Sequence, residues 1–241
     1  MSLDNSLSNL TAILLCGGKG ERLKPFTDDQ PKALVPLNGQ PLLRYLLRYL
    51  SAFGIKRFII CVGYKAEAIE EFVRDSVNPA WELICVNSGD ASMTDRLRDV
   101  RRYLNSPALV CYGDTLANLD LGVLLQDHQT SGALVTMTVY PMHSPFGIVS
   151  FDSSGQITGF VEKPRLPYWI NIGFMLCELE AFNYLKPGSD MPEFLASLAE
   201  GGALFAHQHD GKHLTVNTEK DRVLAESEMI EFFTLLDSQR V

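Results

Sequence analysis

The chain has 241 residues, 46% apolar and 21% charged, an ordinary globular balance with length enough to bury a sizeable core. Its 21 basic and 29 acidic residues give a net charge of −8, which argues against a dedicated nucleic-acid binder with a basic face. The charge is uneven, with 14 basic and 12 acidic residues in 1–110 and the excess acid in 111–241, so an anionic ligand is expected to meet the first half. Residues 1–9 are polar and read as a flexible N-terminal tail, without the charged head and apolar centre of a signal peptide. No apolar run approaches the roughly 20 residues of a membrane helix, so a cytoplasmic protein with no membrane partner is expected. Residues 11–16 form a short apolar strand ending in glycine. Residues 41–53 have helical spacing, with Leu42, Leu43, Leu46, Leu47 and Leu50 on one face. Residues 57–62 read as a strand, 66–74 as a helix, 82–86 as a strand, 94–104 as a basic helix and 108–112 as a strand. Strands alternating with helices predict right-handed crossovers and a mainly parallel sheet. The second half changes character. A long alternating strand at 133–140 precedes strands at 147–151 and 157–160, which flank a hairpin turn at 152–155. A strand at 170–177 follows, then helices at 178–184 and 192–200, strands at 204–207 and 213–216, and a closing amphipathic helix at 219–236.

The five cysteines are odd in number and form no C-x-x-C pair. They read as buried free thiols, and no structural zinc is expected. His207, His209 and His213 would share a face if they lay on one strand, but no cysteine or carboxylate pattern supports a metal there.

The first strand runs into Gly17-Gly18-Lys19-Gly20-Glu21-Arg22-Leu23. Glycines after a strand let the backbone turn tightly and bring its N–H groups against phosphate oxygens. Lys19 and Arg22 add positive charge, and arginine can grip two phosphate oxygens at once. The loop is neither a Walker A sequence nor a G-x-G-x-x-G fingerprint. Lys24-Pro25-Phe26-Thr27 follows, then Pro31-Lys32-Ala33-Leu34 and Gly39-Gln40-Pro41-Leu42. The order L-x-G-G-x-G-x-R-L-x-P-x-T from Leu15, then P-K-A-L, then G-x-P-L-L, resembles the sugar-1-phosphate nucleotidyltransferases. Within that family the likeness is greatest to glucose-1-phosphate cytidylyltransferases. It is carried by 58–65, by Asn87-Ser88-Gly89-Asp90-Ala91-Ser92-Met93-Thr94 followed by Arg96-Leu97, and by Tyr112-Gly113-Asp114. Glu162-Lys163-Pro164, Asn171-x-Gly173-Phe174 and His209-Asp210-Gly211 extend it, so that it runs from about residue 11 to 226.

The resemblance implies an α/β fold with a Rossmann-like, mixed, mainly parallel central sheet and helices on both faces, the nucleotidyltransferase fold. It implies a single domain over 10–241, with a nucleotide-binding half at about 10–115 and a sugar-phosphate-binding half at about 116–241. The reaction would join an NTP, CTP favoured, to a sugar 1-phosphate, giving an NDP-sugar and pyrophosphate. Guanylyl, uridylyl or thymidylyl transfer, a phosphorylated polyol as acceptor, and a weakened regulatory subunit stay open as alternatives. The implied catalytic residues are Arg22, Lys32, Asp114 and Lys163. Leu15, Gly17, Gly18, Gly20, Arg22, Lys32, Thr94 and Gly113 would bind the nucleotide, and Glu162, Lys163, Asn171 and Gly173 the sugar phosphate. Tyr168 and Trp169 are candidates for stacking on a sugar ring. Asp114, at the carboxyl end of a strand, is the natural ligand for Mg²⁺, with Mn²⁺ as the other candidate. The sequence departs from the family twice. Asp95 stands where paired glycines follow the threonine, and Asn217 stands where a second metal-binding aspartate is usual. Asn217 weakens the ion, changes which ion is preferred, or marks a chain that binds and turns over poorly. An assembly of identical chains is compatible with this reading, and its partners are small molecules rather than nucleic acid.

Overall fold

The computed structural model describes residues 7–75 and 78–238, with side chains through residue 228. Thirteen strands are described. A seven-stranded sheet is built from β1 (Thr11–Leu15), β4 (Arg57–Val62), β5 (Glu82–Asn87), β6 (Ala108–Tyr112), β8 (Val135–His143), β11 (Arg165–Cys177) and β12 (Leu204–Gln208). The spatial order is β12-β8-β11-β6-β1-β4-β5. Three short two-stranded sheets are formed by β2 (Pro36–Leu37) with β3 (Gln40–Pro41), β7 (Thr115–Ala117) with β13 (His213–Thr215), and β9 (Ile148–Phe151) with β10 (Ile157–Val161). The helices are α1 (Phe26–Asp29), α2 (Leu42–Ala52), α3 (Ala66–Asp75), α4 (Met93–Val100), α5 (Leu121–Ser131), α6 (Met191–Glu200) and α7 (Glu219–Ser238).

β1 pairs in parallel with both β4 and β6, β4 with β5, and β8 with β12; only β11 runs antiparallel, between β6 and β8. The expected mixed, mainly parallel sheet is therefore present. Its central strands are apolar on both sides because helices cover both. Along β1, Ala12 and Leu14 enter one core with Leu42, Leu46 and Leu50 of α2. Ile13 enters the other, with Leu97 of α4 and Leu198 of α6. Tyr49 of α2 donates its hydroxyl to the Leu119 carbonyl at 2.5 Å, tying that helix to the chain beyond β7.

Of the residues read as a tail, 1–6 lie outside the described residues, and Leu7 is buried in the core ahead of residue 10. The strand expected at 170–177 begins earlier, at Arg165, and 179–184 winds as a 3₁₀ helix. Helix α5 has no counterpart in the sequence reading. Asp120 caps it by accepting from the N–H groups of Gly122 and Val123, and Gly132 ends it with φ 63°. The β9–β10 hairpin stands off the main sheet with Phe151, Ile157 and Phe160 exposed.

Candidate active site

The order of the main sheet reverses beside β1: the chain leads from β1 to β4 and β5 on one side, then crosses to β6 on the other. A crevice is expected outside the carboxyl ends of β1 and β6. A cavity of about 300 Å³ lies there, lined by Leu15, Cys16 and Gly18 after β1, Lys32 and Ala33, Met93, and Tyr112, Gly113 and Asp114 after β6.

The glycine loop is shaped from below. Arg96 of α4 is buried and donates to the carbonyls of Val62, Gly17 and Gly89. It thus binds the ends of β1, β4 and β5 to one guanidinium. A Cβ on Gly17 would lie 2.2 Å from Arg96 Cζ, so residue 17 must be glycine for the arginine to fit. Gly20 takes φ 64°, opens the 3₁₀ turn at Glu21–Leu23, and accepts the Thr27 hydroxyl at 2.9 Å. The sequence reading gave Arg96 no role. It sits in a helix rich in arginine, and only the topology shows that this one points inward.

Lys32 follows Pro31 in a 3₁₀ turn anchored by buried Ala33. Its ammonium lies 2.6 Å from Asp114 Oδ2 and 2.7 Å from Asn217 Oδ1. Arg22 Nη2 donates to the same Asn217 oxygen at 3.0 Å. Asn217 reaches this point because β13 pairs with β7 and the Val216 N–H donates to the Asp114 carbonyl. The Asp221 carboxylate, at the head of α7, accepts from the N–H groups of Asn217 and Thr218. Four residues named from sequence, spread over nearly 200 positions, therefore meet: Arg22, Lys32, Asp114 and Asn217.

Asn171 and Gly173 arrive on β11, whose antiparallel run brings them to the carboxyl end of β6. Asn171 Nδ2 donates to the Tyr112 hydroxyl at 3.0 Å, and Gly173 packs against the Tyr112 ring. Burial pushes the Tyr112 phenol up, partly offset by that hydrogen bond. These two residues border the cavity through Tyr112.

Other expected residues lie apart. Glu162 and Lys163 are exposed between β10 and β11 and do not line the cavity. Tyr168 and Trp169 are exposed on the outer part of β11, where the Arg165 guanidinium stacks on the Trp169 ring at 4.8 Å. The Thr94 side chain is fully buried and donates to the Ser189 carbonyl, so Met93, rather than the Thr94 hydroxyl, faces the cavity. Asp95 turns to the protein: Ser92 donates to it, with the Gly188 N–H and Arg98, holding its carboxyl below the usual range.

The three histidines do not lie on one strand. His207 on β12 meets Asp127 at 2.6 Å, His209 meets the Lys212 carbonyl, and His213 on β13 meets Thr215. Among the described residues no group of three His, Cys, Asp or Glu side chains could hold a metal ion. All five cysteines are free, and burial pushes the Cys16 thiol well up, so the cavity's sulfur is not a ready nucleophile. Among the described residues no helix is long and apolar enough to cross a membrane.

Such an arrangement suits anions: a glycine turn, two cations and a carboxylate at one sheet edge, with no activated nucleophile. Comparison with known proteins agrees. The family model described as "Nucleotidyl transferase" matches residues 11–201. The glucose-1-phosphate cytidylyltransferase of Salmonella typhi is 31% identical over 245 residues, covering 90% of this chain and 95% of that protein. The D-glycero-alpha-D-manno-heptose 1-phosphate guanylyltransferase of Campylobacter jejuni is 31% identical over 176 residues, covering 72% of this chain and 78% of that protein. A Bacillus anthracis crystal structure in complex with sucrose shares the fold, with a TM-score of 0.72 at 19% identity over 90% of this chain and 95% of that one. By its loop, its sheet and the match over most of its length, this chain belongs to the nucleotidyl transferase family.

Proposed function

We propose that the chain condenses an NTP, with CTP preferred, with a sugar 1-phosphate to give an NDP-sugar and pyrophosphate. The observation that carries this is the convergence of Lys32 and Arg22 on Asp114 and Asn217 at the rim of a cavity floored by the glycine turn. The preference for CTP is supported by the identity to the Salmonella typhi enzyme along nearly the whole chain.

In this reaction an oxygen of the sugar phosphate attacks the α-phosphorus in line. A new P–O bond forms, the α–β bridge breaks, and its electron pair leaves with pyrophosphate. Both reactants are anions, so the barrier is largely repulsion and misalignment, and fixed cations with oriented donors lower it. The N–H groups around Gly18 and Gly20 cradle phosphate oxygens. Arg22 grips the outer phosphates, and Lys32 exchanges its carboxylate for phosphate as charge builds on the leaving group. Leu15 and Gly113 form the cavity walls beside the nucleotide, with the backbone near Thr94 toward the base. Asn171 and Gly173 hold Tyr112 as one wall of the acceptor side.

The donor set fits a hard divalent cation. Asp114 Oδ2 and Asn217 Oδ1 both lie within 2.7 Å of one point, now held by the Lys32 ammonium, and both are oxygens. Asp114 and Asn217 would hold Mg²⁺ or Mn²⁺, which when bound neutralises phosphate charge.

Asn217 also favours a second reading, a nucleotide-sugar-binding regulatory subunit, because a neutral amide holds an ion less tightly than a carboxylate. Pyrophosphate release separates the two. The test pairs each NTP with a panel of sugar 1-phosphates, with Mg²⁺ and with Mn²⁺. The enzyme reading expects release with at least one pair, fastest with CTP. Nucleotide binding without release under every condition favours the regulatory reading.

A further inference from the structure

A line of hydrogen bonds runs from His213 to Asp114. β13 pairs antiparallel with β7, so Thr215 lies opposite Thr115 and His213 opposite Ala117. The two threonine hydroxyls meet at 3.2 Å. Thr115 Oγ1 donates to Asp114 Oδ1 at 3.0 Å, and His213 Nε2 lies 2.9 Å from Thr215 Oγ1.

The direction of this line follows from its end. A carboxylate only accepts, and each hydroxyl carries one proton. Thr115 gives its proton to Asp114, so its oxygen accepts from Thr215. Thr215 has then given its own proton and must accept from His213, so Nε2 carries a hydrogen. The Tyr140 ring packs against the imidazole, its centroid 5.0 Å away. Burial, with a smaller push from His209 and an opposing pull from Asp114, lowers its pKa to about 4. The ring is therefore neutral near pH 7, with its lone pair on Nδ1.

We infer that His213 is a positioning residue for Asp114, acting through Thr215 and Thr115. The inference rests on Asp114 being the carboxylate of the proposed site. The terminal torsion of an aspartate is soft. Saturating Oδ1 from one side leaves Oδ2 turned toward Lys32, 2.6 Å away. Thr115 is buried, so water does not readily replace its hydroxyl.

Two measurements test this on the intact chain. ¹⁵N spectra of labelled histidine are expected to show His213 as the neutral Nε2–H tautomer from pH 6 to 8. The Nδ1–H tautomer overturns the inference. In kinetics, Thr115→Val and Thr215→Val are each expected to lower kcat for pyrophosphate release about tenfold, with KM for the nucleotide within about twofold. The double valine variant is expected to be no slower than either single one, since all three cut the same line. Thr115→Ser and Thr215→Ser are expected to restore the rate. Valine variants at full rate, or losses that multiply in the double variant, overturn it. If a valine variant does not fold, the wild-type tautomer decides. If the wild-type chain releases no pyrophosphate with any pair, the assigned reaction fails. The tautomer still decides the line: Nε2–H upholds it and Nδ1–H overturns it.

Discussion

Lys32 spends two of its three N–H donors, on Asp114 and on Asn217, and Arg22 adds a second bond to the same amide oxygen. One carboxylate thus faces two cations, leaving net positive charge for phosphate. Asp114→Asn removes the only formal negative charge of this quartet and is expected to lower pyrophosphate release by at least about 100-fold. The unfolding temperature should stay within a few degrees, because the side chain is part-exposed at the cavity rim. Loss of folding in that variant would make Asp114 a structural residue. Asn217→Asp raises the ligand charge, which tightens divalent-ion binding. The Mg²⁺ concentration for half-maximal activity is expected to fall roughly tenfold, read from a metal titration of pyrophosphate release. An unchanged midpoint would show that position 217 does not hold the ion.

The glycine loop and α4 act as one element. Gly17→Ala drives a methyl group into Arg96, an overpacking expected to cost about 1–3 kcal/mol in urea unfolding. Gly18→Ala meets open space and is expected to change stability by less than about 0.5 kcal/mol. Equal effects at the two glycines would refute the role given to Arg96. Strands with apolar residues buried on both faces were legible in the sequence, and so was the exposed β9–β10 hairpin, through its turn at 152–155. β4 and β6 were read at their observed bounds, and β1 within a residue. Helix α5 was not read, because its leucines cluster at 121, 124 and 125 and then give way to polar residues, so no long stripe forms. The outer part of β11 was not read either, because Pro167 and exposed side chains there give no alternation. In the site, the loop and Asp114 stood out by their places after strands, and Lys32 through the family resemblance. The inward turn of Arg96, the burial of Thr94 and the link from His213 to Asp114 depend on pairings across the chain, which no local pattern carries.

At the scale of the molecule, acid should loosen the fold through His213. Its imidazole titrates near 6.5 when unfolded and at about 4 when folded. The unfolded chain therefore takes up the proton first. This contribution is complete above about pH 6.5 and is lost as pH falls from there through about 4. Between pH 7 and 4.5 the wild type is expected to lose about 2 kcal/mol more than His213→Gln in urea unfolding. Equal losses would mean that the ring is not kept neutral by burial. The larger claim concerns the sheet edge itself, where a turn of backbone amides and two cations receive a triphosphate. It is tested most directly by a crystal structure of the chain with CTP and Mg²⁺. The account predicts phosphate oxygens against the amides of 17–22, with Lys32 moved from Asp114 onto phosphate. A nucleotide bound elsewhere, with Lys32 still paired to Asp114, would contradict it.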